Sequence, residues 1–224
     1  MLRSADLTLW LLTTLVEAFV VYLFLIQRVF RKFLFLYFYL LLSAMAGMSE
    51  YALLCHFGLD SSEYFYFYYF TDVPLTICLF VGICELSVHL VGTKIPRRKV
   101  VSWSAGALLA TAWFSFSVAW SSGPRLIMHF IVELSQNIYI ACCLTIVLLW
   151  AWQLRNDPED RMAARFVSVL SVYFSLFILN YGANQIAPPE LGLTNSLPPM
   201  MAAWLPLGCG FALVSHEEPR RTKH

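Results

Sequence analysis

Seven apolar runs, each long enough to cross the hydrocarbon core of a bilayer, take up most of this sequence. They are Leu7–Gln27, Phe33–Phe57, Asp72–Gly92, Val100–Trp120, Leu126–Leu154, Met162–Ile186 and Pro198–Ser215. A spanning helix needs about 20 residues, so seven of them in a chain of 224 leave only short connections. Charged residues make up 13% of the chain, against roughly a quarter in soluble domains. The pattern predicts one all-α domain over residues 1–224, a polytopic seven-helix transmembrane bundle with no room for a soluble catalytic domain. The first run is too long for a secretion signal, has only Arg3 before it and no small-x-small cleavage site after it. It is expected to persist as the first helix.

Orientation follows from the bases, because Lys and Arg beside span ends favour the cytoplasmic side. Arg28, Arg31 and Lys32; Lys94, Arg97, Arg98 and Lys99; Arg155, Arg161 and Arg165; and Arg220, Arg221 and Lys223 all fall on one side. Only Arg3 and Arg125 fall on the other. With an odd number of spans, the N-terminus is expected outside and the C-terminus in the cytoplasm. These short basic loops suit topology and anionic-lipid contact rather than nucleic-acid binding. The expected location is a membrane, crossed many times, with membrane lipids as the first partners.

Five of the six cysteines, Cys78, Cys84, Cys142, Cys143 and Cys209, lie inside spans, where free Cys behaves as a small apolar residue. Cys55 lies near the outer boundary. No C-x-x-C pair exists, so neither a disulfide framework nor a metal site is suggested. The fourth span carries two rows of small residues, Ser102/Gly106/Ala110 and Ala107/Thr111/Ser115/Ala119, the spacing that lets helices approach closely in lipid. It is therefore expected to face protein along Gly106 and Ala110. Pro206 predicts a kink in the last span, where the Ala202 carbonyl loses its donor. The run Tyr64-Phe-Tyr-Phe-Tyr-Tyr-Phe70 reads as an aromatic belt at the outer interface. The third helix begins either at Asp72, capped by Thr71 with Pro74 in its first turn, or earlier, with Pro74 as a kink.

Ionisable groups inside spans are costly and mark the default place for function. Glu17 falls near the midplane of the first span. Glu50, Asp72, His129, Glu133 and Asn180 fall in the outer half and Asn137 near the midplane. His129, Glu133, Gln136 and Asn137 share one helix face, which is expected to look inward. A carboxyl opposite an imidazole or a second carboxyl can share a proton, the chemistry of a proton-linked or ligand-binding cavity. The plainer alternative is a protonated Glu133 bonded to Asn137 or Asn180 as glue between helices. Glu17, alone on its helix, suits glue better. Glu85 and His89 are four residues apart and predict an ion pair with each other or with the basic loops. Asp72 and Glu85 lie about 220° apart on the helical wheel and cannot share one compact site.

Several seven-helix chemistries are excluded by what the spans lack. Lys32, Lys94, Lys99 and Lys223 all lie in loops or the tail, so no Schiff-base lysine can hold retinal. The last span has only His216 at its inner end, which excludes the clustered histidines of intramembrane zinc hydrolases. Haem held by His56 and His129 is geometrically open but has no second cue. The third span ends His89-Leu-Val-Gly92 rather than in an acid-arginine pair, and the seventh has no Asn-Pro element, unlike eukaryotic seven-helix receptors. No cofactor is expected.

The string Tyr64-Phe-Tyr-Phe-Tyr-Tyr-Phe-Thr-Asp72, with Glu85 farther along the same helix, resembles a group of short, uncharacterised bacterial seven-helix membrane proteins. The resemblance covers the first three helices, including Phe33 and His56-Phe-Gly58. Its layout is similar to the sensory membrane modules fused to bacterial histidine kinases. That resemblance implies a sensor whose signal passes to a separate partner protein. The sequence therefore predicts a sensory or ligand-binding module with an outward-facing polar cavity, not an enzyme. The alternatives are a small proton-coupled transporter and a structural subunit of a membrane complex.

Overall fold

The computed structural model describes residues 4–58, 61–91, 96–120, 126–156, 158, 160–186 and 193–215. Among these residues every regular element is helical. Seven α-helices follow in order: α1 (Ser4–Ile26), α2 (Leu34–Phe57), α3 (Ser62–Val91), α4 (Arg97–Ala119), α5 (Leu126–Arg155), α6 (Arg161–Ile186) and α7 (Leu193–Val214). A single 3-10 turn, Val29–Arg31, joins α1 to α2. By length and composition α2 to α6 can each cross a membrane, and the described parts of α1 and α7 add the apolar stretches Leu11–Ile26 and Trp204–Val214. The outer surface agrees. Leu109, Trp113, Leu148 and Phe211 each expose 70% or more of their surface, far more apolar exposure than a bundle in water tolerates. The chain is an all-α, multi-pass membrane protein.

Helix α3 is central, packed on α2, α5, α4 and α6, while α1 lies against α2 and α7, and α7 against α6. The interior stripe of α3 is Thr76, Leu79, Ile83, Leu86 and Leu90, all buried. These recur at three- and four-residue steps, the period of one helix face. Asp72 begins the same stripe one turn earlier. Gly82 on this helix touches α2 so closely that a Cβ there would lie 3.2 Å from the Leu36 backbone nitrogen.

The end of the bundle that carries most of the bases is closed by a clasp of aromatic and polar groups. Phe24, Phe33 and Phe166 are fully buried. Phe24 stacks on Phe166 at 5.8 Å and Phe33 meets Phe166 edge-on at 5.2 Å. Asp160 caps α6, accepting from the Met162 and Ala163 amides at 3.1 and 3.3 Å, and its other oxygen pairs with Lys32 at 2.6 Å. Helix α2 has no side-chain cap of its own. Glu85 reaches across from α3 and accepts from the Phe35 amide at 3.0 Å. A carboxylate there satisfies an orphan donor and meets the positive end of the helix dipole. Glu85→Ala should therefore lower stability by about 1 kcal/mol, and Glu85→Gln by less, as read from unfolding in mixed micelles.

The structure bears on four expectations. Glu85 and His89 do not pair with each other. Glu85 caps α2, and His89 Nε2 lies 3.0 Å from the Lys32 carbonyl with its ring edge-on to Phe33. Of the two starts open for α3 the earlier one holds: the helix begins at Ser62, takes the aromatic run into its first turns and carries Pro74 in its interior. Ser61 caps it by accepting from the Tyr64 amide at 3.2 Å, and Gly58, at φ 80°, turns the chain out of α2. Thr71, read as a cap, instead donates back to the Phe67 carbonyl at 2.8 Å. Helix α4 is peripheral: Gly106 and Ala110 are exposed, and a Cβ on Gly106 would meet nothing. Only the far end of its second row, Ser115 and Ala119, is buried. Helix α7 continues through Pro206, as a proline-bent helix also does.

Candidate functional site: a polar cluster between helices

The interior stripes of α3 and α5 bring polar groups face to face. On α5 the buried positions are Ile131, Ser135, Ile138, Cys142, Ile146 and Leu149, again a single helical face. Ser135 is thereby held against Asp72. The Ser135 hydroxyl donates to Asp72 Oδ2, and the Tyr139 hydroxyl approaches Oδ1 at 3.4 Å. Tyr139 is itself fixed by stacking on Phe177 of α6, with centroids 5.3 Å apart. Asp72 lies about 15 Å along α3 from its Ser62 end.

The cluster extends inward from Asp72. Glu50 of α2, half-buried, is close enough to Asp72 for the two carboxyls to interact, and Glu17 of α1 interacts with Glu50 in turn. Glu17 is buried and accepts from the Ser43 hydroxyl at 2.9 Å. Tyr39 of α2 and Tyr173 of α6 lie within electrostatic reach of each other and of Asp72. Tyr68, one turn before Asp72, marks the approach from the end of the bundle away from the bases. Five helices thus contribute three carboxyls and several hydroxyls. Like charges at close quarters repel, so the cluster suits uptake of a proton or a small cation. Among the described residues no group of His, Cys, Asp or Glu converges closely enough to ligate a metal ion.

The expected site residues divide. Asp72 and Glu50 come together. His129 and Glu133 do not join them. The inward face of α5 is the one through Ser135, and Glu133 lies about 200° from it on the wheel. His129 is exposed and lines a groove of about 400 Å³ with Phe65, Tyr66 and Tyr69. Glu133 is half-buried, one turn from Asn137. Asn137 turns toward α4, where it donates to the Ser115 hydroxyl at 3.0 Å. The face expected to look inward is therefore the face that α4 covers. The Asn180 side chain lies outside the described residues. Ser135, Tyr139 and Tyr173 were not singled out in the sequence, since hydroxyl residues are common in spans and only the α3 stripe shows which of them meet Asp72. Four cavities among the described residues are lined by neither Asp72, Glu50 nor Glu17.

These features define a class, a multi-pass helical membrane protein with a carboxyl and hydroxyl cluster between its helices. The chain matches no known family model, and no curated protein or solved structure matches it.

Proposed function

We propose that this chain is a sensory module of the bacterial inner membrane, crossing it seven times, whose working site is the Asp72 cluster and whose ligand is the proton. Its N-terminus lies outside and its C-terminus in the cytoplasm, as the one-sided bases favour, and the cluster is then reached from the outer end. The carrying observation is Asp72 bound by Ser135 and Tyr139, with Glu50 within electrostatic reach. An ionised Asp72 only accepts, whereas a protonated one must also donate. Proton uptake therefore rearranges the α3–α5 contact and relieves repulsion between α2 and α3. No enzymatic step is assigned. The signal passes to a separate partner protein, in keeping with the resemblance to bacterial sensory modules.

A proton-coupled transporter is the second reading, and the core argues against it. From Glu17 to the basic end the interior is filled by Phe24, Phe33, Leu36, Leu86, Phe166 and Leu170, all fully buried. That plug gives a proton no polar route onward. The test is the thermal midpoint of the purified protein between about pH 4 and 8. The wild type and Glu133→Gln should show the same pH dependence, and Asp72→Asn should flatten it. A profile unchanged in Asp72→Asn would reject the proposal.

A further inference from the structure

At the basic end, well away from the Asp72 cluster, a groove between α5, α6 and α7 is lined by an arginine with a guanidinium nitrogen left unbonded among the described residues. The cavity, about 360 Å³, is lined by Gln153, Arg165, Ser168, Ser215 and an apolar wall that includes Val169 and Phe211. Arg165 Nη1 and Gln153 Oε1 are both buried there without a hydrogen-bond partner among the described residues. The described residues contain one ion pair, Lys32 with Asp160, and Arg165 has no part in it. Burying a guanidinium nitrogen unbonded is costly. The cost is relieved when the guanidinium turns into the groove and donates to an anion seated there.

We propose that this groove binds the phosphodiester of an anionic membrane phospholipid. The guanidinium offers a planar fork of donors matched to phosphate oxygens. A half-turn of the Gln153 amide, which leaves its shape unchanged, presents a second donor. The Ser168 and Ser215 hydroxyls already donate to the Ala164 and Phe211 carbonyls, at 3.1 and 2.8 Å. Recognition therefore falls to Arg165 and Gln153.

Position selects lipid over free phosphate. Arg165 is about one turn inside α6, Gln153 two residues from the end of α5, and Ser215 just past α7, which is the depth of a headgroup rather than of the hydrocarbon centre. Phe211 beside it is 73% exposed on the outer surface, so the groove opens sideways onto lipid, where an acyl chain can lie along Val169 and Phe211. Arg155 and Arg161, exposed at the same helix ends, add positive charge and favour an anionic headgroup over a zwitterionic one.

The test is thermal unfolding of the full chain in an uncharged maltoside detergent with added phosphatidylglycerol, phosphatidylcholine or inorganic phosphate. Phosphatidylglycerol should raise the wild-type midpoint by about 5 °C, with a much smaller shift from phosphatidylcholine and none from phosphate. Arg165→Gln should lose the shift and Arg165→Lys keep part of it. Ser168→Phe, which fills the groove from an exposed position while keeping the arginine, should also lose it and covers the case in which Arg165→Gln fails to fold. The proposal is overturned if both Arg165→Gln and Ser168→Phe keep the full shift. Equal shifts from phosphatidylcholine, or an equal shift from inorganic phosphate alone, overturn it as well.

Discussion

Gly82→Leu is expected to leave no folded, monodisperse protein in detergent. A Cβ at Gly82 would lie 3.2 Å from the Leu36 nitrogen, 3.4 Å from its Cα and 3.5 Å from the Phe35 carbonyl carbon. All three are backbone atoms of α2, which cannot swing aside as a side chain can. A branched side chain there must force α3 from α2, and α3 is the helix on which α2, α4, α5 and α6 all pack. Gly82→Ala is milder, since the helices need part by only tenths of an ångström, and should cost about 1–3 kcal/mol. Gly106→Leu is the control. Nothing stands within 4 Å of its Cβ position, so its midpoint and elution volume should match the wild type. Size-exclusion chromatography with thermal unfolding checks all three.

Phe166→Ala should be the most damaging truncation in the core, costing about 3–5 kcal/mol. The ring is fully buried and touches Phe24 of α1 and Phe33 at the start of α2. Its loss opens a void where three helices meet. In a membrane the hydrophobic gain from water is largely absent, so the loss is mainly of packing contacts. Phe166→Leu, which refills most of the space, should cost well under half as much. Equilibrium unfolding in mixed micelles gives both values. The Lys32 ammonium lies 5.3 Å over the neighbouring Phe33 ring, which ties this packing to the Asp160 cap of α6.

The hydropathy of the sequence was enough for the helices and their number, because a bilayer demands long apolar runs with their own backbone bonds satisfied. It was not enough for helix faces. Spans are apolar all round, so the amphipathic signal that orients a helix in a soluble protein is weak. That is why α5 was read with His129, Glu133 and Asn137 inward when Ser135, Ile138 and Cys142 face the core. The small residues of α4 do not place it at the centre of the bundle for a related reason, since Gly and Ala permit close approach without requiring it. Pro74 left two starts open for α3, at Asp72 or earlier, and the helix takes the earlier one, beginning at Ser62 with the proline in its interior. The polar site was half legible. Asp72 and Glu50 stand out as carboxyls inside spans, while Ser135 and Tyr139 became visible only once α3 and α5 were set side by side.

Infrared difference spectroscopy of the reconstituted protein, stepped between about pH 4 and 8, tests most directly whether the Asp72 cluster exchanges a proton. The account predicts a carboxyl C=O band that appears with falling pH, is absent from Asp72→Asn and persists in Glu133→Gln. A band that survives Asp72→Asn unchanged, or no titrating carboxyl band in the wild type, would contradict it.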